Sequence, residues 1–287
     1  MSNAAGNQQV RDIGALGRIT ADHVIAAGQL IRNGTVYDLG LELNERIPQG
    51  APGAFTPFSL LTRATPEGTG QASPFQYSVE TIVGTLHVST HIDAFIHVQA
   101  DNAIYGGEPV ASARTDQGWS RFGIETVPPI VGRAVILDIA VLHQIPALPD
   151  GYEISVDDVT QALDQAGLRL EQGDSVLIRT GKVREFYSDP STFQQSQPGV
   201  GPAAAIWLHD QGMAVLGTDT TATEPIPFLD PSRTTHRAML VERGVHLVEN
   251  LFLDELSRDG VHEAFFVCLP LKITGATGSW VRPVAIA

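Results

Sequence analysis

The segment His87-Val-Ser-Thr-His91-Ile-Asp93-Ala-Phe-Ile-His97 gathers three of the chain's nine histidines, with an aspartate between them. Histidines at +4 and +10 from another arise by chance on the order of once in a hundred such chains, before Asp at +6 is required. Imidazole and carboxylate are the usual ligands of Zn and other divalent transition metals, so the pattern points to a metal site. On a straight strand, positions 87 and 91 would stand ~13 Å apart at ~3.3 Å per residue, too far for one ion. On a continuous helix 87 aligns with 91 and 93 with 97, but the two pairs point different ways. The spacing therefore predicts a strand ending near Val88, a tight turn at Ser89-Thr90 and a helix opening near Ile92. Along that path His87, His91 and Asp93 converge on a metal. His97 falls one helical turn behind Asp93, near the ion but not needed to fill its shell, where it can shuttle a proton.

The surrounding elements must hold that turn. Thr20 can cap a helix over 21–32, with Gly34 beyond its end. A strand is expected over 36–41, and the Pro-, Gly- and Thr-rich stretch 43–75 reads as a long loop. Strands follow within 77–88, over 134–140 and at Ser175–Arg179. Ser155 with Asp157 and Asp158 opens a helix to Ala166. A helix over 202–211 leads to a strand over 214–217. A short helix over 234–242, ended by Gly244, leads to a strand over 245–248. Segments 264–273 and 280–285 close the sheet. Strands and helices mix without regular β-α-β spacing, which predicts a single α/β domain over 19–287 behind a flexible start at 1–18.

The pattern H-x-x-T-H-x-D-A-x-x-H resembles the His-x-Gly-Thr-His-x-Asp-x-Pro-x-His signature of the cyclase family of metal-dependent hydrolases, which includes bacterial kynurenine formamidase and isatin hydrolase. The resemblance continues in Arg179-Thr180-Gly181, in P-G-V-G-P-A-A-A-I-W-L (198–208) and in Gly217-Thr218-Asp219-Thr220. It extends through H-R-A-M-L-V-E-R-G-V-H-L-V-E-N (236–250) and L-K-I-T-G-A-T-G-S-W-V-R-P (271–283), so it covers most of 36–287. Ser89 stands where the signature has Gly, and Phe95 where it has Pro. The fold expected is a mixed β-sheet or small barrel-like core flanked by helices, swivelling β/β/α-like. The resemblance implies that His236 and Glu249 form a second ligand pair, with Asp93 bridging two ions. It also implies an acid/base role for His97 and, together with the apolar residues of the 43–75 loop, a homodimer. The cofactor expected is Zn or Mn, one or two per chain.

Other chemistries find no support. There is no G-x-S-x-G elbow, no Walker loop and no G-x-G-x-x-G after a strand. Cys268, the only cysteine, lies in an apolar run and reads as an inert core residue. Asp219, at a Gly-Thr turn after a strand, orients a ligand imidazole or simply forms the turn. Phe95, Phe186, Tyr187 and Trp207 are candidates to line an aromatic pocket. The net charge of −14 argues against nucleic acid and anionic membrane as partners. No secretory signal or membrane-length apolar run is visible, so a cytoplasmic protein with a small-molecule substrate is expected. The function expected is hydrolysis by metal-bound water of an amide bond, an aryl formamide or cyclic amide, in a small aromatic substrate. A lactone or cyclic imide hydrolase on the same site is the alternative, and a non-catalytic metal-stabilised binding module is the alternative of another class.

Overall fold

A computed structural model describes residues 13–50, 55–65 and 77–287. The molecule is built on a mixed nine-stranded sheet curled into a half-barrel. In chain order the sheet strands are β1 (Val36–Asp38), β4 (His91–Asp93), β5 (Ile130–Asp138), β6 (Ser175–Arg179), β7 (Val215–Thr218), β8 (His246–Glu249), β9 (Glu263–Cys268), β10 (Gly278–Trp280) and β11 (Val284–Ile286). Strands β2 (Ser59–Thr65) and β3 (Tyr77–Val83) form a separate antiparallel hairpin. The sheet order is β1-β11-β9-β5-β6-β7-β8-β4-β10. Its four central strands, β5 to β8, run parallel, and the flanking pairs run antiparallel.

The parallel strands carry the apolar runs of the sequence because both of their faces are covered. Every residue of β6, β7 and β8 is buried. Helix α1 (Ala21–Gly28) packs on β5 and β9, and α2 (Val156–Ala166) packs on β5. Both start as their sequences dictate. Thr20 and Ser155 accept hydrogen bonds from the backbone N–H three residues on, and Gly167 ends α2 in the left-handed conformation. Helix α3 (Pro202–Asp210) lies against α2 and the segment after His236.

Several expectations are corrected. The sequence start is not uniformly loose. Gly14–Arg18 form a 3₁₀ turn with Leu16 buried, and Ala15 N–H donates to Gly244 O, while residues 1–12 lie outside the described residues. Within the stretch read as a loop, Ser59–Thr65 pair with Tyr77–Val83, a pairing that local Pro and Gly content concealed. The short helix expected after Thr234 is a π-helical segment over Arg237–Val241, with His236 at its head. No helix among the described residues is long and apolar enough to cross a membrane.

Candidate metal centre

The path through the histidine motif differs from the one expected. His87 to Thr90 form the turn, and His91–Asp93 form a strand, β4, rather than the approach to a helix. The helix that follows is a single 3₁₀ turn, Phe95–His97. Strand geometry then explains the convergence. His91 and Asp93 are two apart on β4 and share a face. Glu249 on β8 pairs directly with His91, which puts their side chains side by side. Asp93 itself pairs with Gly278 on β10, and an added Cβ there would meet His87 Cε1 at 2.6 Å. The glycine is the space into which His87 folds.

Ser89 takes the left-handed conformation, φ 55°, that the family signature fills with glycine. The turn is held from several sides. Ser89 Oγ donates to Leu41 O, Thr90 Oγ1 donates to Asn250 O at 2.6 Å, and Asn250 Nδ2 donates to Ser89 O at 2.9 Å. Those bonds tie the motif to the end of β8 and offset the strain of a non-glycine residue there.

Each imidazole is aimed by its other nitrogen. His91 Nδ1–H donates to Ser89 O at 2.9 Å, which turns Nε2 toward Glu249 Oε2 (3.3 Å) and Asp93 Oδ1 (3.6 Å). His236 Nδ1–H donates to Glu224 Oε2, which turns Nε2 toward Asp93 Oδ2 and Glu249 Oε1, both at 3.4 Å. His87 Nδ1–H donates to Asp93 Oδ1 at 2.8 Å, and Thr277 Oγ1–H donates to His87 Nε2 at 2.8 Å. Thr223 Oγ1–H donates to Glu249 Oε1 at 2.9 Å. The His97 ring stacks on His87 with centroids 3.8 Å apart, and its Nε2 is 4.0 Å from Asp93 Oδ2.

Three observations make this cluster fit a divalent cation. Asp93 Oδ2 is buried and has no hydrogen-bond partner, an arrangement that is costly for a carboxylate unless a cation meets it. The four Nε2-to-carboxylate separations of His91 and His236, 3.3 to 3.6 Å, match the ~3.3–3.6 Å between ligands bound at ~2.0–2.2 Å around a tetrahedral ion. The cluster also draws in positive charge. Burial alone would depress the His91 and His236 imidazoles, but the carboxylates of Glu249 and Asp93 hold His91 above its ordinary range, and those of Glu224 and Glu249 hold His236 well above it. A divalent ion supplies the same charge. Two sets of three ligand atoms lie within reach of a common point: His87, Asp93 and His97, and His91, Asp93 and Glu249. Asp93 belongs to both, and burial, which alone would raise its carboxyl, is outweighed by the surrounding imidazoles, which hold it well below the carboxylate range.

The cluster forms the floor of a cavity of about 1050 Å³. His87, His91, His97, His236 and Glu249 all face it. Burial, and after it the neighbouring imidazoles, push His97 down to about 3 against the pull of Asp93, and its side chain lines the cavity.

The aromatic residues expected to line the cavity do not. Phe95 is buried behind β4, where its ring stacks on His246 at 4.1 Å. His246 Nδ1–H donates to the Asp93 carbonyl at 2.7 Å, so this pair braces the motif from the rear. Phe186 is buried in a small cluster with Phe193 and Val88, and Trp207 packs on the main core from α3. Phe55 and Phe228 line the cavity instead. Asp219 touches no ligand imidazole. Its buried carboxylate accepts from Thr180 N–H, Thr180 Oγ1–H and Gly181 N–H at 2.7–2.8 Å, and burial raises it to about 6. The residue that orients an imidazole is Glu224, which sequence reasoning missed. It approaches His236 from a Thr- and Pro-rich loop, and no spacing signal marks it.

Comparison with known proteins agrees with this architecture. A sequence model of the family described as "Putative cyclase" matches residues 37–225. A kynurenine formamidase of Bacillus cereus is 28% identical over 250 residues, covering 86% of this chain and 95% of the relative. A crystal structure described as a novel cyclase superposes with a TM-score of 0.86 at 29% identity, covering 97% of this chain and 95% of that one. Isatin hydrolase A from Ralstonia solanacearum superposes with a TM-score of 0.66 at 23% identity, covering 93% and 97% of the two chains, and shares the fold.

Proposed function

The chain belongs to the cyclase family, and on that premise we propose that it is a metal-dependent hydrolase that cleaves a carbon–nitrogen bond, an aryl formamide or cyclic amide, in a small aromatic substrate. The observation that carries the reading is the buried Asp93 Oδ2, which accepts no hydrogen bond and sits among imidazoles beneath a cavity lined by His87, His91, His97, His236 and Glu249. Zn or Mn suits a donor set of imidazoles and carboxylates without cysteine. His91, Asp93 and Glu249 would hold one ion and His236 would extend the set for a second, with Asp93 shared, while His87 would join as a ligand by giving up its hydrogen bond to Asp93 or to Thr277. When bound, such a cation lowers the pKa of water toward neutrality and polarises a carbonyl.

The chain's own groups do the rest. Glu224 and the Ser89 carbonyl fix the two imidazole tautomers, so that His91 Nε2 faces Asp93 Oδ1 and Glu249 Oε2 and His236 Nε2 faces Asp93 Oδ2 and Glu249 Oε1. His97, which lines the cavity 4.0 Å from Asp93 Oδ2, takes the proton of the attacking water and returns it to the leaving nitrogen. The two arrangements of a cyclic and an acyclic amide need the same proton transfer, and no side chain has to bond to the substrate carbon.

A second copy of the chain completes the assembly in this reading. Every residue of β3 is exposed, and Leu60, Leu61, Val79 and Ile82 are each about half exposed on a hairpin that packs mainly on itself. A two-stranded hairpin is marginal alone, and exposed apolar side chains on it ask for cover. We read the protein as a cytoplasmic homodimer in which these hairpins are covered.

The direct test is a screen of the metal-loaded protein against formanilides, isatin and small lactones. Formate release or isatin opening is expected. Turnover of lactones alone would move the reading to carbon–oxygen bonds, and a full metal complement without turnover on any of them would favour a binding module.

A further inference from the structure

Resting on that reading of the site, we propose that His246 is a positioning residue for the metal centre: by holding the Asp93 carbonyl it fixes the direction of the Asp93 carboxylate, and so sets the affinity for the ion. Asp93 belongs to both candidate ligand sets. Its Oδ1 accepts from His87, and its Oδ2 accepts no hydrogen bond. The direction of the carboxylate therefore depends on the main chain that carries it. The β4–β8 register runs through His91–Glu249 and Ile92–Val248 and stops there. At the next residue the donor is a side chain, as His246 Nδ1–H meets Asp93 O at 2.7 Å. The N–H of the same peptide unit, on Ala94, donates to Thr277 O at 2.9 Å. The unit is thus pinned at both ends, where the chain leaves the sheet for the 3₁₀ turn that ends in His97. His97 N–H in turn donates to Ala94 O at 2.9 Å, so the same clamp steadies both Asp93 and His97.

Histidine is a costly residue for this place. The side chain is buried, and its Nε2 has no hydrogen-bond partner. A carbonyl only accepts, so the ring's hydrogen is on Nδ1, and Nε2 is an acceptor taken out of water with no donor in return. Leucine would pack on Phe95 without that cost, so the bond from Nδ1 is what the position gains from histidine. The ring is held for that bond. Phe95, the first residue of the 3₁₀ turn, stacks on it at 4.1 Å and 13°. Phe95 lies in turn against Tyr105, with centroids 4.6 Å apart. A Cβ on Gly14 would come within 2.7 Å of Phe95 Cζ, so the Gly14–Arg18 turn closes over the stack.

The test is the dissociation constant for Zn or Mn, read by competition with a chromogenic chelator, in the natural protein, His246→Asn and His246→Leu. Asparagine can place an amide N–H where Nδ1 stands, whereas leucine fills the space without a donor. Leucine also removes the unpaired Nε2, so the metal-free variants should melt close to one another. We expect His246→Leu to bind the ion about 10–100-fold more weakly, the usual cost of losing a group that orients a ligand, and His246→Asn to recover most of that loss. Natural affinity in His246→Leu would overturn the proposal. So would His246→Asn as weak as His246→Leu, or unable to fold, because it keeps the bond. If His246→Leu does not fold, His246→Gln takes its place, since its amide reaches the Nε2 position rather than that of Nδ1. Weaker binding than in His246→Asn then supports the proposal, and equal binding overturns it. The readout needs no turnover. Absence of amide hydrolysis would count against the hydrolase reading alone, and absence of metal binding by the natural protein would overturn both.

Discussion

His97 and Asp93 lie four residues apart in one cluster, His97 at the cavity and Asp93 buried beneath it, yet their substitution should fail in different ways. His97→Ala should keep its metal and lose about 10²–10⁴ in rate, the usual contribution of a general acid or base. Asp93→Ala should lose the metal, because Asp93 belongs to both candidate ligand sets. Elemental analysis beside kinetics separates the two. Both variants fully metallated, or both empty, would contradict the role given to His97. The histidine motif was legible in the sequence because its members are close along the chain, so their spacing alone constrains the backbone. Glu224 was not, because its contact with His236 is made across a loop and depends on tertiary packing. Asp219 was legible only as two alternatives, and it fits neither: its three hydrogen bonds go to Thr180 and Gly181 just past the neighbouring strand β6, not to a ligand imidazole or to its own turn.

At the scale of elements, the site depends on three strands in register. β8 brings Glu249 opposite His91, and β10 brings Gly278 opposite Asp93. Gly278→Ala would put a Cβ 2.6 Å from His87 Cε1 and 2.9 Å from Ile92 O. Displacing His87 should lower metal occupancy, with a stability loss of about 1–3 kcal/mol from overpacking. Metal content and a thermal melt together check this, and unchanged metal with wild-type stability would show that the glycine is not needed for the His87 turn. The strands β6 to β8 and helices α1 and α2 were readable because long apolar runs and capping residues are local signals. The β4 strand was not. It is three residues long, and only its pairing with β8 and β10 makes it a strand. The turn at 87–90 was read in roughly the right place, but the helix after it shrank to one 3₁₀ turn because Asp93 and His91 are held in the sheet.

For the whole molecule, a single mixed α/β domain followed from strands and helices without β-α-β regularity and the barrel-like curl of its sheet from the family resemblance, whereas the β2–β3 hairpin was hidden in a segment whose composition reads as loop. That hairpin should govern assembly. Leu60 and Ile82 are cross-strand partners, so Leu60→Glu with Ile82→Lys keeps an opposite-charge pair within the hairpin while removing apolar surface from it. Light scattering should report a dimer for the natural protein and a monomer for the double variant, and a natural monomer at micromolar concentration would contradict the assembly. The central claim, that the cluster around Asp93 is a metal centre driving amide hydrolysis, is tested most directly by stripping the protein with a chelator and titrating Zn or Mn back while following formanilide hydrolysis. The account predicts that activity vanishes on stripping and returns in proportion to bound metal, saturating at one or two ions per chain. Full activity in the stripped protein, or metal restored to that stoichiometry with none, would contradict it.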